Sequence, residues 1–362
     1  MTRRALLAAG GTGGHLVPAE ALASALIERG WAIDLASDER VDLHGLTFPA
    51  DQRHVLTAAT FRSKNPIAVL KTMGALAKGV AEARRVIQDR KPAVVVGFGG
   101  YPSFPPLVAA KLTGTPAILH EANAVMGRAN RSLSGLVDAV ATSWPTTRHV
   151  AGTIAAKATQ VGMPVRPAVV LASAMPYPAA DATIRLLVFG GSQGARVFAD
   201  LAPAAIARLP EALRARIEVT QQARPEDEAR VRAAYAEAGV PAEIAPFFAD
   251  LPRRMAESHL VLSRSGGSTV AELGAIGRPA ILVPLPGALD ADQLLNARAF
   301  EAAGAGRLAE QASTTPESLA AMLRDLIDDP AGLAAMAASA KALGRTDAAG
   351  RLADLVERVA RA

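Results

Sequence analysis

At 362 residues the chain is too long for one ordinary core, and with 50% hydrophobic residues, 30 Gly and 24 Pro it reads as an Ala-rich globular protein of two domains, not a disordered or fibrous one. The absence of cysteine excludes disulfides and thiolate metal sites and fits a reducing cytoplasm. Lys plus Arg number 39 against 34 Asp plus Glu, a formal charge of +5, and the excess is local. The window from Phe61 to Lys91 holds Arg62, Lys64, Lys71, Lys78, Arg84, Arg85, Arg90 and Lys91 against only Glu82 and Asp89.

Arg3 and Arg4 precede an apolar run over 5–9, as a secretory signal would, but Gly10, Gly11, Gly13 and Gly14 cut that run too short for an h-region. No apolar stretch approaches the roughly 20 residues that span a bilayer. The expected protein is soluble or attached to a surface.

Strand-like runs at 5–9, 31–36, 93–97, 117–120 and 139–142 alternate with helical stretches, and the alternation repeats at 185–189, 217–220, 244–247, 260–263, 280–284 and 306–309. Such alternation predicts βαβ units and parallel sheets. Turn residues at 162–167 and the Ala/Pro-rich 172–182 mark a linker. The expected division is 1–165 and 166–344. A final helix, about 347–361, lies in the remaining segment 345–362 and is able to pack on either half, including back on the first domain.

Two stretches read alike: Leu6 to Gly14 is LLAAGGTGG and Leu186 to Gly194 is LLVFGGSQG. Each is an apolar strand emptying into a glycine turn and a helix start. That device offers unpaired N–H groups and the positive end of a helix dipole, which suits phosphate. Its duplication predicts two α/β halves with a cleft between them as the place for chemistry. The first turn lacks the third glycine of a dinucleotide fingerprint, where Leu16 stands, although Asp38 falls near the ribose-acid spacing. A nicotinamide oxidoreductase therefore stays open on this loop alone.

His15 falls at the start of the first helix, where the dipole disfavours imidazolium and leaves a neutral ring able to take a proton; a histidine bonding locally to backbone is the alternative. His120-Glu121-Ala122-Asn123 brings a second polar cluster to the same sheet edge, unless it is a solvated turn. In the second half the glycine turn at 190–194 and Arg166 suit an anionic diphosphate, with a surface salt bridge as the alternative for the arginine. Glu272 could accept both hydroxyls of a ribose, or it could close a capping box with Thr269. Finally, Ile67, Val69, Leu70, Met73 and Leu76 among spaced cations describe either a membrane-surface helix or one that faces a core.

Taken together, GGTGGH at 10–15, GFGGYPSFP at 97–105, LHEAN at 119–123, GMPVR at 162–166, GGSQGAR at 190–196, SRSGGSTVAEL at 263–273 and DQLLNA at 292–297 resemble the MurG family, within glycosyltransferase family 28. The resemblance spans nearly the whole chain in order. It implies the glycosyltransferase B architecture, an α/β fold of two Rossmann-like domains, the first for acceptor and membrane and the second for the donor. The implied reaction is transfer of GlcNAc from UDP-GlcNAc to the C4 hydroxyl of lipid I, with inversion, giving lipid II for peptidoglycan. By the same resemblance His15 is the candidate base. Thr12, Gly13, Gly14 and Asn123 contact the GlcNAc side of the donor; Arg166, Ser192 and Gln193 meet the diphosphate. Phe248 backbone meets the uracil, Gly267, Ser268, Thr269, Val270, Ala271 and Glu272 line the nucleotide, and Gln293 meets sugar hydroxyls. Gly13, Gly14, His15, Gly99, Gly100 and Tyr101 hold the lipid diphosphate.

No metal or other cofactor is implied. The implied location is the cytoplasmic face of the inner membrane, on an anionic surface, with partners among cell-wall and division proteins and no nucleic acid. Aromatics at 4% also leave few stacking platforms for single strands. Departures from the family pattern are Met163 in place of the usual Asn, Asp292 before Gln293, and a short 37–53 segment.

Overall fold

The computed structural model describes residues 2–10, 13–39, 48–59, 65–179, 183–191, 194–288 and 290–361. Of the expected site residues, Thr12, Ser192 and Gln193 lie outside the described residues, as do Arg62 and Lys64 of the basic window. Parts of the 37–53 and 172–182 segments also lie outside them.

Two compact units are present, one made of Met1–Arg166 with Asp347–Ala362 and the other of Pro167–Thr346. In the first, β1 (Arg4–Ala8), β2 (Ala32–Ser37), β3 (Gln52–Val55), β4 (Val94–Gly97), β5 (Ala117–Glu121), β6 (Ala139–Thr142) and β7 (Ala158–Gln160) form one sheet. Its order is β3-β2-β1-β4-β5-β6-β7, parallel throughout. β4 and β5 are buried along their whole length, as strands covered by helices on both faces must be. One face is covered by the helices Gly13–Glu28 and Ala348–Val359, through Leu16, Leu22, Leu26, Leu352 and Val356; burying each such Leu is worth about 1.5–3 kcal/mol. The other face packs Ala83, Ile87, Leu107 and Leu133.

The helix Ala348–Val359 is tied to the first unit by polar contacts as well. Arg29 Nη1 donates to Asp354 Oδ1 at 2.7 Å, and Arg351 Nη2 donates to the Gln160 carbonyl at 2.8 Å. Across the sheet, the buried Asp34 carboxylate receives Arg4 Nη1 at 2.9 Å and a two-pronged bond from Arg90, Nε at 2.8 Å and Nη2 at 3.0 Å. Such a pair is costly to break from one side, because it leaves a buried charge alone.

The helix Pro66–Arg90 starts at an Asn65 cap, whose side chain accepts from Ile67 N, with Pro at the first position, and stops at Lys91 in the left-handed region with φ 47°. The core-facing alternative holds for the later turns, and the earlier turns are exposed. Leu76, Gly79, Ala83 and Ile87 face the core, and Gly79 is needed where a Cβ would run into the Thr57 carbonyl. Ile67, Leu70 and Met73 stand 68%, 71% and 56% exposed, beside exposed Lys71 and Lys78.

The second unit repeats the plan. β8 (Ile184–Phe189), β9 (Ile217–Gln222), β10 (Ala242–Ala245), β11 (Leu260–Ser263), β12 (Ala280–Leu282) and β13 (Gly306–Leu308) are ordered β10-β9-β8-β11-β12-β13, again all parallel. Its core gathers Leu186, Val188, Phe198, Val219, Tyr235, Leu262 and Leu323. β10 ends two residues before the run at 244–247 predicts, because Pro246 has no N–H to continue a ladder. β3 and β7 are strands that the pattern at 5–142 does not anticipate. Both are short sheet edges, QRHV and ATQ, without an apolar run.

Candidate active site

In each sheet the connection direction reverses beside the first strand of its unit, between β1 and β4 and between β8 and β11. Loops leaving the carboxyl ends of those strands diverge there and open a crevice, the general position of ligand sites in such sheets. The two glycine turns sit at these points.

In the first unit the turn after β1 runs into the helix Gly13–Glu28, so Gly13, Gly14 and His15 occupy its first turn. His15 Nδ1 lies 3.2 Å from the Gly10 carbonyl. A carbonyl only accepts, so Nδ1 carries the proton, and the lone pair of the neutral ring is on Nε2. The turn after β4 walls this ring: Gly99 and Gly100 have φ of 92° and 69°, and a Cβ on Gly100 would stand 3.1 Å from His15 Cε1. Ser103 Oγ donates to both the Ala8 and Gly99 carbonyls, at 3.0 and 2.9 Å, joining the two turns. Tyr101, half-buried, opens the short helical turn Tyr101–Ser103.

β5 ends in His120 and Glu121, both buried. Glu121 is a hub. Its Oε1 accepts from Asn123 N at 3.0 Å and Asn123 Nδ2 at 3.3 Å, and its Oε2 accepts from Gly127 N at 3.0 Å and Asn130 Nδ2 at 2.7 Å. Burial pushes its carboxyl above the usual range, opposed by these donors. The Asn130 amide in turn lies 3.3 Å from where a Cβ on Gly99 would be. Glu121 thus shapes the Asn123 loop and backs the wall around His15. Neither Glu121 nor Asn130 stands among the site residues expected from the sequence, although the polar cluster at 120–123 was a signal for the first.

His120 packs on Phe98 with ring centroids 5.5 Å apart, and its Nε2 lies 3.3 Å from the Gly162 carbonyl. Burial pushes its imidazole down to about 4, with His15 adding to the shift. Met163 is buried beneath this group, its sulfur accepting from Ser143 Oγ at 3.7 Å. A thioether here fills apolar space that an amide would have to satisfy with hydrogen bonds. Arg166, half-buried, lowers the Glu20 carboxyl by its charge, although burial dominates and the net shift is upward. Asp38 is buried beside Gly10, 3.1 Å from where a Cβ there would be.

In the second unit the loop after β11 leads into the helix Gly267–Ile276, whose cap is Gly266 with no side-chain cap bond. Thr269 is therefore inside the first turn, and the capping-box alternative for Glu272 is overturned; Glu272 is buried in the second turn. Residues 267–272 form the first turns of this helix. Ser265 Oγ donates to the Gln293 carbonyl at 2.8 Å, Asn296 Nδ2 donates to the Ser265 carbonyl at 3.1 Å, and Gln293 Oε1 accepts from Leu285 N at 2.9 Å. With its oxygen so engaged, Gln293 turns its NH2 to the remaining side. Asp292 is the first residue of the helix Asp292–Ala302, where a carboxylate complements the dipole.

Arg264 is buried behind the loop, Nη1 donating to the Val283 and Pro284 carbonyls at 3.0 Å each, its guanidinium 5.6 Å from the Phe198 ring centroid. Burial pushes its pKa down. Phe248, 8% exposed, follows β10, and its carbonyl accepts from Leu251 N at 3.3 Å.

Two Rossmann-like units of parallel sheet, each carrying a glycine turn at its reversal point, define the glycosyltransferase B class of fold. Residues 5–142 match the glycosyltransferase family 28 N-terminal domain and 185–352 its C-terminal domain. A protein of Mesorhizobium japonicum named UDP-N-acetylglucosamine--N-acetylmuramyl-(pentapeptide) pyrophosphoryl-undecaprenol N-acetylglucosamine transferase is 54% identical, covering 98% of this chain and 95% of that one. A protein of the same name from Nitrobacter hamburgensis is 52% identical over 98% and 97%. Among solved structures, Acinetobacter baumannii MurG superposes with a TM-score of 0.81 at 27% identity, covering 98% and 99%. The chain belongs to glycosyltransferase family 28.

Proposed function

We propose that the chain transfers GlcNAc from UDP-GlcNAc to the C4 hydroxyl of the MurNAc in lipid I, forming lipid II with inversion at the sugar carbon. The observation that carries this reading is the near-complete coverage at 54% and 52% identity by two relatives named for that transfer, with the family's motifs at the reversal points of both sheets. The first unit takes the acceptor and the second takes UDP-GlcNAc.

The C4 hydroxyl attacks the GlcNAc anomeric carbon from the face opposite UDP while its proton passes to His15 Nε2. The bond from that carbon to the diphosphate oxygen breaks, and its electron pair leaves with UDP. Negative charge growing on the diphosphate is met by the helix starts at Arg196 and Gly267, and by Arg166, Ser192 and Gln193 as the family resemblance implies. Asn123, held by Glu121, serves the GlcNAc side. Glu272 accepts the ribose hydroxyls, and the Gln293 NH2 donates to a sugar hydroxyl. No metal is needed where helix ends and a guanidinium supply the positive charge.

Ile67, Leu70 and Met73, exposed beside Lys71 and Lys78, support docking on the anionic cytoplasmic surface of the inner membrane. There each clustered cation is worth about 1 kcal/mol. No helix of the described residues is long and apolar enough to cross a membrane.

The test is transfer of labelled GlcNAc from UDP-GlcNAc to a lipid-linked MurNAc-pentapeptide, run with and without EDTA. The expected result is a disaccharide product and released UDP in both. Conversion of UDP-GlcNAc alone to its C2 epimer, with no acceptor product, would overturn the transferase reading. Loss of transfer in EDTA that Mg²⁺ restores would overturn the metal-free one.

A further inference from the structure

β9 lies between β8 and β10, and its two terminal glutamines point to opposite sides, as successive strand residues do. Gln221 turns into the core, donating from Nε2 to the Phe198 carbonyl at 3.1 Å and accepting from Tyr235 O–H at 2.6 Å. Gln222, buried at the carboxyl end of the strand, bridges two loops. Its Oε1 accepts from Gly190 N at 3.0 Å and its Nε2 donates to the Pro246 carbonyl at 3.2 Å. Gly190 opens the glycine turn after β8, and Pro246 opens the loop that carries Phe248.

We propose that Gln222 is a positioning residue that fixes the spacing between the diphosphate turn and the nucleobase loop, so that a ligand spanning both meets a site set in advance. This rests on the reading of the second unit as the UDP-GlcNAc unit. Both ends of the bridge have further contacts of their own. A Cβ at Gly190 would run into the Ala195 backbone, and Gly194 N donates to the Gly191 carbonyl at 3.0 Å. The far side of the Phe248 loop is clamped by Arg254. Its guanidinium lies 4.5 Å from the Phe248 ring centroid, while Nε donates to Asp250 Oδ1 at 2.7 Å and Nη2 to Glu243 Oε1 at 2.9 Å. A carboxamide is the side-chain group that can satisfy an N–H on one loop and a carbonyl on the other at once. Its contribution to binding is the ordering that the nucleotide need not impose.

The test compares wild type with Gln222→Glu and Gln222→Ala in the transfer assay, using UDP, uridine and inorganic pyrophosphate as inhibitors and following thermal unfolding. Gln222→Glu keeps the size and the acceptor for Gly190 N but loses the donor to Pro246 and sets a carboxylate oxygen against that carbonyl, a cost that thermal unfolding reads. In both variants KM for UDP-GlcNAc and Ki for UDP should rise about tenfold, the scale of one lost bridging bond, while in the uncharged Gln222→Ala the constants for uridine and for pyrophosphate stay within about twofold. Unchanged UDP inhibition, or equal weakening of all three ligands in step with the unfolding temperature, would overturn the proposal. A wild-type enzyme that neither UDP nor uridine inhibits would instead overturn the underlying reading of the unit.

Discussion

The two sheets share one strand order over six strands, yet the edges at their carboxyl ends use different chemistry. Beyond β1 and β5 the polar groups include ionisable ones: His15, His120 and Glu121, with Asn130 completing the network. Beyond β9, β11 and β12 amides and hydroxyls make the bridging bonds, from Gln222, Ser265, Gln293 and Asn296, with Arg264, Glu272 and Asp292 as the charged groups among them. An imidazole changes its charge near neutral pH, whereas an amide holds its pattern of donors and acceptors at any working pH. On the proposed reading, one topology used twice separates proton transfer from nucleotide recognition.

That separation makes the substitutions at the two edges kinetically distinct. His15→Ala should lower kcat by about 10²–10⁴, the range for loss of a general base, with KM for UDP-GlcNAc nearly unchanged; steady-state kinetics showing a change confined to KM would move His15 to binding. Glu272→Ala should do the reverse, raising KM for UDP-GlcNAc by about tenfold or more, the scale of a hydrogen bond to a charged group. An equal fall in kcat with KM intact would erase the contrast between the edges.

The smallest effect belongs to His120. Its pKa is depressed by burial to about 4 in the folded chain, from 6.5, so the unfolded chain binds the extra proton first and stability falls as pH drops from the unfolded value toward the folded one. Between pH 7.5 and 5.5 this costs about 1 kcal/mol, or about 2–4 °C in the midpoint of a unit of this size. Melting curves should show that increment missing from His120→Gln; an identical pH dependence in both proteins would mean that the ring takes up its proton at the same pH in the folded and unfolded chains.

The central strands were legible because burial on both faces leaves a continuous apolar run, as in VVVG of β4 and LVLS of β11. β3 and β7 were not, because an edge strand owes its conformation to the neighbour it pairs with. QRHV is held against β2, with Arg53 Nε donating to Ser37 Oγ at 2.9 Å, and nothing local in those four residues marks it as a strand. At the site, His15 stood out because glycines isolate it at a helix start. Glu121 did not, since the donors that define its role come from residues up to nine positions later. Gln222 was harder still, its partners lying 32 and 24 residues away on other loops. The cap question at Thr269 and Glu272 turned on backbone geometry at Gly266, where φ −61° and ψ 153° start the helix three residues earlier than a capping box would.

The helix Ala348–Val359 seals the core of the first unit with Leu352, Leu355 and Val356, although all of Pro167–Thr346 is synthesised in between. At a ribosomal pace of about 5–20 residues per second, that interval is roughly 10–40 s. For that time the nascent amino-terminal half carries an uncovered oily groove beside Leu22 and Leu26, while the intervening half can already mature. A chaperone that shields this groove, or a pause that prolongs its exposure, would act on the yield of folded enzyme without touching any residue of the reaction centre.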